Sequence, residues 1–239
     1  MALERTDKIL SSQGSVSRSE AKELIRKGRV LANGCTVKKP EEKYDPENTE
    51  FVVDGKKLIF KKYVYIMMNK PQGVLSASRD RNAKTVIDLL PPEMKRKDLF
   101  PAGRLDKDTE GFMLITDDGE LAHKMLSPKS HVYKLYEAEC DRELSEEDVS
   151  AFEKGIVCGD ISFLPAEMKL LGGNRALVEI CEGKFHQIKR MFHSVNAEVT
   201  ALKRLRIGGV FLDPSLAPGE SRYLNKREII DIISPHHGI

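Results

Sequence analysis

The 239-residue sequence predicts an α+β protein in two unequal parts, residues 1–60 and 61–239. Three observations carry this prediction. The chain is about one and a half times the roughly 150 residues of a common domain. Its first sixty residues hold a helix start and two hairpin signals in close succession. After Lys61-Lys62 the pattern changes to separated apolar stretches suited to strands, with helical segments between them and no βαβ repeat. With 40% hydrophobic residues, 6% aromatics and no Trp, there is enough apolar surface for a core, and global disorder is excluded.

Several classes drop out early. The longest apolar run lies around Val64 to Met68, far short of the ~20 residues a bilayer span needs. Met1-Ala2-Leu3-Glu4-Arg5 leads into charged, helix-forming sequence without the apolar stretch of a secretory signal. A soluble cytoplasmic protein with no membrane partner is expected, taken as a monomer. Cys35, Cys140, Cys158 and Cys181 form no C-x-x-C pair, so neither a zinc site nor a disulfide scaffold is indicated. The net charge is only +2, but 32% of residues are charged and the signs are segregated. Residues 184 to 206 hold six cations (Lys184, Lys189, Arg190, Lys203, Arg204, Arg206) against Glu198, while 137 to 160 hold nine acids against Arg142 and Lys154. One face is thus suited to a polyanion and another repels it.

In the first part, Ser17-Arg18-Ser19-Glu20 has the spacing of a capping box, in which the Ser oxygen and the Glu carboxylate satisfy free N–H groups at a helix start. Ala21, Leu24 and Ile25 supply the apolar stripe and Gly28 the C-terminal stop. Asn33-Gly34 and Asp54-Gly55 then mark two hairpins, because such tight turns need positive φ. Pro40 to Asn48 reads as a polar connector. On charge alone Arg18, Lys22, Arg26, Lys27 and Arg29 could be either a solvated face or a phosphate-binding one.

The order of these signals resembles the S4 RNA-binding domain, on the residues Ser17-Arg18-Ser19-Glu20-Ala21, Leu24-Ile25, Gly28, Val30 and Asn33-Gly34, with Ala32 where that pattern has Val. The resemblance implies that the basic helix and hairpin contact structured RNA through its phosphates.

In the second part, Tyr63 to Met68, Gly111 to Thr116, Val132 to Cys140 and Ala176 to Cys181 read as strands. Ser145 and Asn225 read as caps of helices, the first ending at Gly155 and the second running through Ile233. Gly103-Arg104-Leu105-Asp106-Lys107-Asp108-Thr109-Glu110-Gly111 sets acids among glycines just before a strand. A calcium loop would need a bidentate Glu at its twelfth position, where Asp117 stands, and an entering helix where Pro101 and Gly103 sit. A glycosidase pair is opposed by the closeness of Asp106 and Asp108 in sequence. A plain acidic turn stays open on pattern alone. Over Phe185 to Val195, helical periodicity puts Phe185, Ile188, Met191, Phe192 and Val195 on a packing side, and His186, Lys189, Arg190 and His193 on the other. That polar side carries no acid, which suits a polyanion better than plain solvent. The two histidines have no ligand partners at metal-binding spacing.

Asn69-Lys70-Pro71-Gln72-Gly73, Ala102-Gly103-Arg104-Leu105-Asp106 with Thr109 and Gly111, Lys134-Leu135-Tyr136, and Glu182-Gly183-Lys184-Phe185-His186-Gln187-Ile188-Lys189-Arg190-Met191 occur in the order of the RsuA-type pseudouridine synthases, which the chain resembles over nearly its whole length. Leu216 to Glu220 and the helix sequence look most like the branch acting on small-subunit 16S rRNA. The 23S branch and a non-catalytic S4-type binding protein are the alternatives. The resemblance implies a mixed, largely antiparallel sheet with flanking helices, and an isomerisation without cofactor or metal. It casts Asp106 as the nucleophile, Lys189 as its ion-pair partner, Tyr136 as the pocket ring that stacks on an extruded base, and Arg104 as a group facing the RNA and holding the flipped-out state. His186, Arg190, Lys203, Arg204 and Arg206 complete the expected RNA-binding set.

Overall fold

A computed structural model describes residues 3–14 and 16–239. The chain divides into two compact units, one running to Val64 and including Leu90–Leu99, the other Tyr65–Leu89 with Phe100–Ile239. A single cut at residue 60 therefore leaves out 90–99, a stretch that belongs with the first unit.

The first unit runs β1 (Glu4–Arg5), α1 (Thr6–Ser12), α2 (Arg18–Arg26), β2 (Val30–Ala32), β3 (Cys35–Thr36), β4 (Lys43–Tyr44), β5 (Phe51–Val53) and β6 (Lys56–Leu58). The capping box forms as the spacing predicts: Glu20 N donates to Ser17 Oγ at 3.2 Å and Ser17 N to Glu20 Oε2 at 2.7 Å. Asn33-Gly34 and Asp54-Gly55 turn with φ of 49° and 79°, and 52° and 74°, which closes the hairpins of a four-stranded sheet ordered β3-β2-β5-β6. Ile9, Leu10, Ala21, Ile25, Val30, Ala32, Val37 and Phe51 are its core. The expected connector 40–48 contains β4, which pairs with β1.

The second unit is built on one nine-stranded sheet. Its strands are β7 (Tyr65–Lys70), β8 (Phe100–Pro101), β9 (Glu110–Thr116), β10 (Lys134–Cys140), β13 (Glu167–Gly172), β14 (Arg175–Ile180), β15 (Val199–Ile207), β16 (Val210–Phe211) and β17 (Ser221–Tyr223), with the short hairpin β11 (Val157–Cys158) and β12 (Ile161–Ser162) outside it. The main order is β13-β14-β10-β15-β9-β7-β17, with β16 on β15 and β8 on β9. Every pairing is antiparallel except β9 with β15, so the sheet is mixed and largely antiparallel. The helices are α3 (Gly119–Leu126), α4 (Glu146–Lys154), α5 (Gln187–Ser194) and α6 (Lys226–Asp231). Alternation along β9 sends Phe112 and Leu114 into a cluster with Met67, Met125, Val132, Ile207 and Ile232, beneath α3 and the chain after α6. Phe152 of α4 and Phe192 of α5 meet at 4.9 Å.

Five of these strands, β8, β13, β15, β16 and β17, are absent from the sequence expectation. Val199–Ile207 carries Lys203, Arg204 and Arg206, which mask its strand pattern as surface charge. Arg204 and Arg206 are in fact buried, at 4% and 1% exposure, and cannot form an RNA-binding face. Leu135 of β10 faces Glu179 on one side and Arg206 on the other, so the register brings the Arg206 guanidinium onto the Glu179 carboxylate. Lys203 is half-buried in a groove shared with Glu110, Glu137 and Glu139, which is acidic surroundings for an expected phosphate ligand.

Candidate active site

At the sheet's parallel junction, Gly111 of β9 lies beside Arg204 of β15. Its φ is 101°, and a Cβ there would collide with the Arg204 backbone, so only glycine lets the two strands approach this closely. The turn before it, residues 102–109, is held from below. Lys70, fully buried at the end of β7, aims Nζ at the carbonyls of Thr109 (2.8 Å), Asp106 (3.0 Å), Pro71 (3.1 Å) and Lys107 (3.3 Å). An ammonium has three protons, so four acceptors use all of its donor capacity. Burial pushes the Lys70 ammonium down to about 8, against the raising pull of Asp108, Asp106 and Glu110. Ser76 Oγ donates to Leu105 O at 2.7 Å and accepts from Leu105 N at 3.0 Å, and Gly73 N donates to Lys107 O at 2.8 Å. The sequence singles out Asn69 to Gly73 as a motif but assigns Lys70 no role. No local signal marks that role, because three of the four carbonyls it serves lie in the 106–109 turn.

The turn displays Asp106 in a cleft whose lining includes Arg104, Thr109, Tyr136, Lys184, His186 and Lys189. All four expected catalytic residues therefore converge on one cavity. Asp106 is part-exposed, with His186 Nε2 at 3.4 Å from Oδ1 and Lys189 Nζ at 3.6 Å from Oδ2. The ion pair expected between Lys189 and Asp106 is present at 3.6 Å but is shared, because Lys189 Nζ also sits at 2.6 and 2.7 Å from the two oxygens of Asp108. Lys189 Nζ therefore contacts both carboxylates, the more exposed Asp108 more closely than Asp106. The Lys189 hydrogen bonds hold the Asp108 carboxyl below its ordinary range. Asp106 thus faces two cationic or potentially cationic groups, neither of which it monopolises.

Tyr136 of β10 is directly opposite Arg204 across a register shift. Its ring, 8% exposed, lines the cleft, its hydroxyl is 3.5 Å from Arg204 Nη1, and the guanidinium carbon is 5.9 Å from the ring centroid. Arg204 donates from Nε to Phe112 O at 2.8 Å and keeps a buried Nη2 without a hydrogen-bond partner. It therefore acts on the cleft from behind Tyr136. Arg104 is exposed, and no described carboxylate pairs with it.

The start of α5 departs from the predicted helix over Phe185 to Val195. His186 is left-handed (φ 51°, ψ 34°), which delays the helix start to Gln187 and throws Phe185 outward at 63% exposure instead of onto the packing side. Ile188, Met191 and Phe192 do pack as expected. Gln187 fixes this junction by donating Nε2 to Glu182 Oε1 at 2.8 Å and accepting from Lys184 N at 3.0 Å.

In the first unit, three of the five expected RNA ligands have protein partners: Arg18 with Asp7 at 3.2 Å, Lys27 with Glu23 at 2.6 Å, and Arg29 with Asp54. Lys22 and Arg26 pair with no described carboxylate. Neither His186 nor His193 joins a metal-binding cluster among the described residues. Glu167, Glu179 and His237 do bring ligand atoms within 4.8 Å of one another, but Glu179 is already occupied by Arg206 and by Gly238 N at 2.9 Å.

A mixed sheet with a carboxylate on a lysine-tied turn, a tyrosine floor and a cationic rim defines an RNA-modifying isomerase of the pseudouridine synthase class. Residues 64–194 match the family described as RNA pseudouridylate synthase, and residues 4–49 match the S4 domain. The chain belongs to the RsuA-type RNA pseudouridine synthases, and its enzymatic class is isomerase. It is 47% identical to an uncharacterized RNA pseudouridine synthase of Bacillus subtilis, over 94% of this chain and 96% of that one. It is 37% identical to the ribosomal small subunit pseudouridine synthase A of Escherichia coli, over 96% of this chain and 100% of that one. A crystal structure of a pseudouridylate synthase superposes with a TM-score of 0.67 at 33% identity, covering 95% of this chain and 99% of that one.

Proposed function

We propose that this enzyme isomerises one uridine of small-subunit 16S rRNA to pseudouridine. The observation that carries the reading is the single cleft that gathers Asp106, Tyr136, Arg104 and Lys189 from three separate stretches of chain. The reaction is balanced within the substrate: the N1–C1′ bond breaks, a C5–C1′ bond forms, N1 gains a proton and C5 loses one. No redox group enters that balance.

Asp106 is the nucleophile, adding to C1′ or to C6, and its partial exposure leaves it reachable by an extruded base. His186 Nε2 and Lys189 Nζ stand 3.4 and 3.6 Å from its carboxylate oxygens. Tyr136 offers a ring for the uracil to stack on. Arg104, unpaired at the rim, faces the RNA and holds the extruded state. Lys22 and Arg26 of the first unit, with Arg190 of the second, contact phosphates. Residues 1–60 anchor the RNA in this scheme and 61–239 perform the chemistry.

The small-subunit assignment rests on the name of the Escherichia coli relative and on the motifs Glu182 to Phe192 and Leu216 to Glu220. Pseudouridine mapping of rRNA from cells with and without the gene tests it. One 16S position should lose its pseudouridine in the deletion and regain it on complementation. A change confined to 23S rRNA would move the enzyme to the large-subunit branch, and no change in any rRNA would remove rRNA as substrate.

A further inference from the structure

Phe185 is a large aromatic side chain that the helix pattern assigns to the core and the structure turns into solvent. Single exposed apolar residues are common and need no function. Three features separate this one from the others. It stands between Lys184 and His186, both of which line the Asp106 cleft, and its ring stacks on that of His186, so it lies next to the cleft lining without being part of it. It is held there by an uncommon backbone conformation, the left-handed His186 with φ 51°. Its ring is also already part of a π array: His186 stacks on it at 3.8 Å with 20° between planes, and the Arg190 guanidinium carbon is 5.4 Å from its centroid. These contacts still leave the ring 63% exposed. No described carboxylate neutralises Arg190.

Aromatic rings and guanidinium planes are the groups on which unpaired bases of single-stranded RNA stack. Extruding a uridine breaks its stacking with its neighbours, and an adjacent base left without a partner needs another surface. We infer that Phe185, braced by His186 and Arg190, is the platform for the base next to the target uridine in the RNA strand. The inference rests on the uridine isomerisation proposed above. On this reading Phe185 is a positioning residue. It sets the register of the strand so that the following or preceding nucleotide drops into the cleft, and it touches neither Asp106 nor the reacting atoms.

The test uses the full-length protein and an RNA fragment containing the mapped target uridine, with 2-aminopurine placed either immediately 5′ or immediately 3′ of it. Binding of wild-type protein should quench the probe at one of the two positions. Phe185→Leu, which keeps apolar bulk and removes the π face, should lose that quenching and raise KM by roughly 5- to 150-fold with little change in kcat. Phe185→Trp should restore both. Release of the uridine C5 hydrogen by wild-type protein from the unmodified fragment scores the isomerase reading separately. Wild-type turnover with no quenching at either flank, or with Phe185→Leu matching wild type in KM and quenching, overturns the platform while leaving the isomerase intact. A loss in kcat alone, with KM and quenching unchanged, also overturns it, since the ring would then act only by holding His186. No pseudouridine formed by wild-type protein sinks the isomerase reading and the platform together.

Discussion

Replacing Asp106 by Asn separates chemistry from architecture, because Asp106 helps hold the turn through its backbone carbonyl and not through its carboxylate. Its carbonyl accepts from Lys70 Nζ at 3.0 Å and from Thr109 N at 3.1 Å, and neither bond involves the carboxylate. The side chain contributes two cation contacts of 3.4 and 3.6 Å at 29% exposure. Part-exposed pairs of this kind are worth about 0–1 kcal/mol, so Tm should fall by no more than about 2–4 °C. The amide keeps the shape and loses the nucleophilic charge. Losing a nucleophile costs on the order of 10⁴-fold or more in turnover. Asp108→Asn is the internal control. It removes the strongest partner of Lys189 but leaves that ammonium 3.6 Å from Asp106, so turnover should stay within about tenfold of wild type. Tritium release from RNA labelled at uridine C5 reads the C–H bond that the isomerisation must break, and filter binding reads RNA affinity. Near wild-type release by Asp106→Asn would refute the mechanism. Equal loss in both variants would show that the Lys189 bridge, not Asp106 by itself, is the working unit.

Three further outcomes are expected. Tyr136→Ala should cost about 1–3 kcal/mol of substrate binding through lost stacking, while Tyr136→Phe keeps most of it; equal damage in fluorescence-anisotropy titrations would point to the hydroxyl near Arg204. Lys70 gives a pH signature: with its value at about 8 in the fold against about 10.4 unfolded, the unfolded chain holds one more proton between those values. Its contribution to stability then rises with pH across that window, while the ammonium that ties the turn is lost and turnover falls; a pH–rate profile level to pH 10 would contradict this. Lys22→Gln with Arg26→Gln should lower the log–log salt slope of RNA binding by roughly 1.4 to 1.8, about 0.7 to 0.9 per phosphate contact, and an unchanged slope would remove α2 from the RNA surface.

The local elements were legible in the sequence because their causes are local. The capping box at Ser17 and Glu20, the Asn33-Gly34 and Asp54-Gly55 turns, and the apolar side of α5 from Ile188 to Phe192 depend on residues three or four apart. Even the gathering of Arg104, Asp106, Tyr136 and Lys189 was expected, through motifs in a known order. The tertiary structure decided what each charge does. Arg204 and Arg206 count as cations in any sequence tally, but strand register places them under Tyr136 and against Glu179, where desolvation is offset by specific partners. Lys189 is expected to pair with Asp106 and does so at 3.6 Å, but it is bound more tightly by Asp108, two residues along. Lys70 carries no signal of its role, because the four carbonyls it serves come from a turn 36 to 39 residues away and from its own neighbour. Phe185 obeys helical periodicity only if the helix includes it, and the left-handed His186 makes the helix begin after it, at Gln187. Short-range hydrogen bonding and periodicity act along the chain and can be read there; burial and ion pairing depend on which strands lie side by side, which the chain settles only once it has folded.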